Sequence, residues 1–285
     1  MTMVPPHLLS LGAGNVFMGH QATGADLEED QRTCRVCLGG PPTREHIPPK
    51  SAFNDCDRLY SFYYRTTVSR VEGVRSFPAR GGYVANSLCG RCNSGICAKY
   101  ASEYVKLAKQ MAEQGPTSAG DLRGYFLDGI NFLYVMKQIA AMILSVNGAG
   151  MAKCQPELRK FIADPTARIL MPLTVHLFHV PDLPGGGTIT GFHGRVNPFS
   201  ENKPYAFIGG EISGYPVGIV YSSEMGSELA NQGILDITHW SLADDYRAKE
   251  PKYITMRSLL TATDTFVGIH YGRNGRRQVE FTDGH

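Results

Sequence analysis

The stretch CGRCNSGICAKYASEYVKLAKQMAEQG, residues 89–115, decides how the rest of the chain is read. It opens on a Cys-x-x-Cys pair, Cys89 and Cys92, and continues with Ile96, Tyr100, Tyr104, Leu107 and Met111 at spacings of four, four, three and four. That period predicts an amphipathic helix ending near Gly115. A second pair, Cys34 and Cys37, stands upstream with 51 residues between the two pairs. In each pair a tight turn brings two sulfurs to one side, and four sulfurs make the closed tetrahedral shell of structural zinc. Redox dithiols share the single motif, but two matched pairs point to a metal. Of the remaining cysteines, Cys56, Cys97 and Cys154, Cys97 reads as a small buried residue on the helix or as a competing ligand.

Between the pairs lies TREHIPPKS, residues 43–51, where Glu45 and His46 directly precede Ile47-Pro48-Pro49. Proline fixes its own backbone and drives the preceding residue toward extended geometry, so both polar side chains sit at a stiff corner. Residues 56–86 are rich in aromatic and β-branched types, which favours an extended ribbon with Glu72-Gly73 as its turn. The order is therefore knuckle, Glu-His corner, β-ribbon, knuckle, helix.

With this order, and with Asn93 directly after the last cysteine, residues 34–110 resemble the HNH endonuclease family in its zinc-stabilised, treble-clef ββα-metal form. The resemblance covers about a quarter of the chain. It implies His46 as general base and Glu45 as acidic ligand of a catalytic divalent ion, Mg2+ or Mn2+. It implies Asn93 as that ion's second ligand and Asn86, the best match to the family's middle Asn, as the residue orienting the base. The four cysteines would hold a zinc ion that does no chemistry and fixes the helix start opposite the Glu-His strand. Read without the resemblance, His46 caps a loop, Glu45 pairs with Arg44 or Lys50, and Asn93 is a helix N-cap.

The chemistry suits phosphodiester cleavage. A neutral imidazole can take a proton from water, and a hard divalent cation tolerates one carboxylate and one amide because it keeps several waters. Residues 31–125 hold fourteen Lys plus Arg against seven Asp plus Glu, although the whole chain carries only +2. Such a basic segment suggests a polyanionic partner, here nucleic acid and foremost double-stranded DNA. Candidate phosphate contacts are Arg58, Arg65, Arg70, Arg75 and Arg80 in the ribbon and Arg91 in the second knuckle.

The full 285 residues, 42% hydrophobic and 19% charged, describe a globular protein of mixed α+β class. Three regions are expected: a loosely ordered lead-in over 1–30, an HNH-like domain over 31–120, and an α+β domain with a mainly antiparallel sheet over 121–285. In the last, FLYVMKQIAAMILSV (132–146) reads as a core helix because Lys137 and Gln138 interrupt it, so no membrane span is expected. PELRKFIAD (156–164) reads as a short helix, and from Arg168 the text is strand-like, with Asn274-Gly275 as a hairpin turn. His176 and His179, three apart on a strand, are expected to be one core and one surface residue. No basic residue precedes the first apolar ones, so no secretory signal is read and the cytoplasm is the expected compartment. The C-terminal part is expected to select the target, sense a signal or form a homodimer. Two rival functions stand beside the DNA endonuclease: a non-catalytic nucleic-acid-binding adaptor, and an RNA-cleaving, toxin-type nuclease.

Overall fold

The computed structural model describes residues 32–55, 58–65, 72–79, 81–115, 120–182, 187–197, 205–222, 233–259, 269–271 and 277–279. The lead-in over 1–30 and the Asn274-Gly275 turn lie outside these residues. The architecture is α+β with antiparallel sheets.

Strand β1 (Pro42–His46) pairs antiparallel with β4 (Val84–Cys89), and between them β2 (Arg58–Arg65) and β3 (Glu72–Ala79) form a separate two-stranded ribbon. Glu72 and Gly73 are strand residues paired with Arg65 and Tyr64, not the turn; the β-branched Val74 next to them favours extension. After β4 comes a π-helical turn (Arg91–Cys97) that runs into helix α1 (Ala98–Gln114). The expected helical face is the buried one: Tyr100, Tyr104, Leu107 and Met111 are all 0% exposed. Gly115 ends the helix where a Cβ would lie 2.0 Å from the His179 ring.

Strand β5 (Leu122–Leu127) pairs with β11 (Lys252–Arg257). Its other edge is closed by α1, whose Gln114 and Gln110 side chains exchange paired hydrogen bonds with the backbone of Phe126 and Asp128. An amide side chain presents the same donor and acceptor as a peptide, so it can stand in for a strand. Helix α2 (Phe132–Cys154) starts at Asn131, whose side chain accepts from the Tyr134 N–H, and breaks at Gly148, where φ is 82°. It is long and apolar enough to cross a membrane, but most of it is buried inside the protein. Its Lys137 is fully buried, and the ammonium donates to the carbonyls of Phe161, Asp164 and Ala167. That closes the end of the short helix α3 (Pro156–Ala163). An ammonium has three donors, and here all three are used.

A five-stranded antiparallel sheet follows, with β10 (Leu235–Asp236), β6 (Thr174–His179), β9 (Val217–Ser222), β8 (Tyr205–Gly214) and β7 (Gly187–Asn197) in that spatial order. Val175, Leu177, Ile212 and Ile219 belong to the main core, whereas Phe178, Val180 and Val220 form a second cluster. Because the sheet is covered on both faces, His176 and His179 are both 0% exposed, against the expectation of one surface residue. A small hairpin of β12 (Ile269–Tyr271) and β13 (Arg277–Val279) completes the described chain.

The expected boundary at residue 120 falls in the connection between α1 and β5, yet the packing does not break there. One hydrophobic cluster runs from Cys34 and Val36 through α1 and α2 to Trp240 and Met256.

Candidate functional site

The four cysteines converge. Cys34 and Cys37 lie just ahead of β1, Cys89 ends β4 and Cys92 sits in the π-helical turn. Their sulfurs all lie within 4.8 Å of one another, and those of Cys37 and Cys89 are 3.7 Å apart. A tetrahedron of sulfurs about 2.3 Å from zinc has edges of about 3.8 Å, so this cluster fits a structural metal ion. Burial pushes the Cys89 thiol up, but the Cys92 N–H and the neighbouring thiols outweigh it and bring it to about 7. Burial and then the Cys34 charge push the Cys92 thiol up, and burial pushes up Cys37, so four thiolates this close would form together only around a cation. Cys97 stays outside the cluster; burial, then the Glu45 charge, push its thiol up to about 12, and it is the buried apolar residue expected.

The knuckle is sewn to the hairpin by backbone. Thr43 pairs with Leu88 and Arg44 with Asn86, so Ser87 is an extra residue in β4, a β-bulge. Its carbonyl accepts from the Arg35 N–H at 2.8 Å. The bulge therefore fixes the first cysteine pair against the strand that carries the second.

His46 ends β1, half-buried, with Nε2 3.1 Å from the carbonyl oxygen of Gly81. A carbonyl only accepts, so Nε2 carries the proton and Nδ1 keeps its lone pair. Burial lowers the imidazole pKa below the ordinary 6.5; the Gly81 bond opposes this, and the charges of Lys50 and Arg44 add to it. The ring is neutral at pH 7.

The corner around His46 is held by a residue the sequence did not single out. Asn54 is 3% exposed. Its Nδ2 donates to the carbonyls of Pro48 and Tyr83, and its Oδ1 accepts from the Tyr83 N–H. Asn86, assigned the orienting role by the resemblance, is instead exposed on β4 opposite Arg44. Nothing local marks Asn54, because its partners include a turn 29 residues away. The double glycine in RGGY is the one trace: a Cβ on Gly82 would lie 2.1 Å from the Asn54 carbonyl oxygen.

Glu45 and His46, adjacent on a strand, point to opposite faces. Glu45 turns inward, and its Oε1 accepts from Ser145 Oγ of α2 at 2.6 Å. Burial raises its pKa above the usual carboxylate value, opposed by Ser145, by the nearby Ser87 and by Arg35. The Ser87 hydroxyl is buried against the Glu45 carboxylate, whose charge it favours. Asn93 lies within the helical run, which starts after Gly90, so it is not the N-cap. Its Nδ2 donates to Thr43 Oγ1 and to the Arg44 carbonyl, both at 3.3 Å. That ties the helix start to β1 and leaves Oδ1 as the amide atom to meet a ligand.

Of the arginines, Arg58, Arg65 and Arg75 lie on the ribbon strands, and Arg91 is exposed at the first position of the π-helical turn. Arg70 and Arg80 lie outside the described residues. Comparison of the chain with protein-family models, curated proteins and solved structures finds no match.

Proposed function

We propose that this chain is a metal-dependent endonuclease of the HNH type that hydrolyses phosphodiester bonds in double-stranded DNA. The support is the order of parts: four clustered cysteines, a hairpin bearing His46, and a helix whose Asn93 reaches back to that hairpin. A treble-clef ββα-metal site has its parts in the same order. The single observation that carries the reading is the His46–Gly81 hydrogen bond, which fixes the tautomer with Nδ1 unprotonated.

In this reading Nδ1 of His46 takes the proton of the attacking water. Asn54 and the Gly81-Gly82 turn keep the ring from rotating. The ion's ligands in this reading would be the Glu45 carboxylate, which leaves β1 on the face opposite the His46 ring, and Asn93 Oδ1, hard oxygens of the kind magnesium or manganese takes. A bound divalent ion would supply the positive charge that stabilises the phosphate and leaving oxygens. The arginines of the β2–β3 ribbon and Arg91 would bind the phosphate backbone.

A non-catalytic zinc-stabilised adaptor is the second reading, and the Glu45–Ser145 bond favours it, since it gives that carboxylate a structural task. Plasmid nicking in magnesium or manganese, parent against His46→Ala, decides between them. Cleavage by the parent alone supports the endonuclease, and salt-sensitive binding with no cleavage under either metal supports the adaptor. Single-stranded RNA offered alongside the plasmid identifies an RNA-cleaving enzyme.

A further inference from the structure

The two-stranded sheet of β5 and β11 buries one face and leaves the other open. Tyr125 and Leu127 of β5 and Met256 of β11 are 0% exposed. The alternate positions point the other way. There Phe126 stands opposite Tyr253, Gly124 opposite Thr255 and Leu122 opposite Arg257. Phe126 is 54% exposed and Tyr253 75%.

Tyr253 leans along the diagonal, over Gly124. A Cβ on that glycine would lie 2.2 Å from the Tyr253 hydroxyl oxygen and 2.8 Å from its Cζ. A glycine inside a strand often marks such a close approach. The ring therefore lies down across the strands, with one side on the backbone and the other open to solvent. The edge of β5 is already occupied by Gln110 and Gln114 of α1. A partner there must meet the face of the sheet and not extend it as another strand.

Neither strand carries an acid, and together they carry Arg123, Lys252 and Arg257. Lys252 is turned to the Phe132 ring on the inner side. Arg123 is exposed beside Leu122, and Arg257 stands on the open face. An apolar protein partner would have to cover these arginines without a counter-charge. Unpaired bases joined by phosphates suit both features: every base has a π face to lay on a ring, and guanidinium forks take phosphate oxygens.

We propose that the open face of β5 and β11 is a stacking platform for single-stranded nucleic acid, with Tyr253 and Phe126 each taking a base and Arg123 and Arg257 the phosphates of the same strand. It rests on the reading above only for the class of partner, and it gives the C-terminal part of the chain the task of holding an unpaired strand.

The test is fluorescence anisotropy of a short labelled oligothymidylate with the full, zinc-loaded chain, without magnesium or manganese so that nothing is cut. Tyr253→Ala and Phe126→Ala should each weaken binding about 5- to 150-fold, the usual loss for one stacked base. Tyr253→Phe, which keeps the ring, should stay near the parent. Arg123→Gln should lower the slope of log affinity against log salt by about 0.7. If Tyr253→Ala melts early, Tyr253→Leu replaces it, covering Gly124 without a π face, and the same loss is expected. An oligouridylate arm separates RNA from DNA as the source of the strand. The platform is overturned if the parent binds neither oligonucleotide, if the ring variants bind like the parent, or if they lose as much on duplex DNA. A changed oligomeric state of the ring variants at full oligonucleotide affinity would make the face a protein interface and also overturn it. A parent that binds the oligonucleotide but nicks nothing removes the endonuclease and leaves the platform. A parent that nicks while its ring variants bind at full strength removes the platform alone.

Discussion

The imidazole Nε2 of His46 meets the carbonyl oxygen of Gly81 at 3.1 Å, and that one contact decides which ring nitrogen carries the proton. Its acceptor comes from a turn 35 residues away, so the two must be brought together by the β1–β4 pairing.

His46→Ala should keep the fold and lower metal-dependent nicking about 100- to 10,000-fold, the usual loss with a general base. The parent's rate should rise with pH and level off, because only the neutral ring accepts a proton. Burial lowers the pKa, so initial rates across pH 5 to 8 should give a midpoint below 6.5. A midpoint above that value would show that another group titrates.

Gly81 and Gly82 both have positive φ, 71° and 97°, but only Gly82 is crowded. Gly81→Ala should cost about 1 kcal/mol for its backbone alone. Gly82→Ala must also displace Asn54 and should cost at least about twice as much, measured by urea unfolding. Asn54→Ala removes three bonds to backbone and should cost about 3 kcal/mol, with nicking falling as the His46 corner loosens.

Cys89→Ser should lose bound zinc and sharply lower the melting temperature, since such an ion contributes on the order of 10 kcal/mol to folding. Elemental analysis of the parent should give one zinc per chain at the four-cysteine cluster. A folded parent without metal would refute this.

Lys137→Met keeps much of the side-chain length but strands the carbonyls of Phe161, Asp164 and Ala167. It should destabilise by about 3 kcal/mol without altering zinc content. Thermal and urea unfolding would both register it.

Acid should weaken the fold in a defined window. His46 and His176 have pKa values lowered by burial, so the folded chain resists their protonation while the unfolded chain does not. Stability is therefore retained above the ordinary 6.5 and declines as pH falls through and below it. Urea midpoints at pH 7.5 and 5.5 should differ in that direction.

What the sequence displayed was local. The period of Tyr100, Tyr104, Leu107 and Met111 and the spacing of the two cysteine pairs are written within short windows, and both the α1 face and the sulfur cluster follow them. The histidines of β6 were misjudged because alternation reports the two faces of a strand and not whether both are covered. Asn54 and Ser145 were invisible for a related reason: each bonds across the fold to partners that no window contains. Asn86 was matched by its place three residues before Cys89; its position on β4, exposed and opposite Arg44, is set by the strand register, which spacing alone does not display.

The shared core also bears on how this protein can be recombined. Tyr100 of α1 donates its hydroxyl to the Ile162 carbonyl at 3.0 Å, and the buried side of α1 lies in the same cluster as the apolar residues of α2. An N-terminal fragment cut at residue 120 would carry bare tyrosines and a methionine into solvent. Grafting it onto a foreign C-terminal partner would demand a matching surface for those rings. The N-terminal part is thus an ill-suited cassette, and chimeras cut at this joint should precipitate where chimeras retaining α2 and α3 would dissolve.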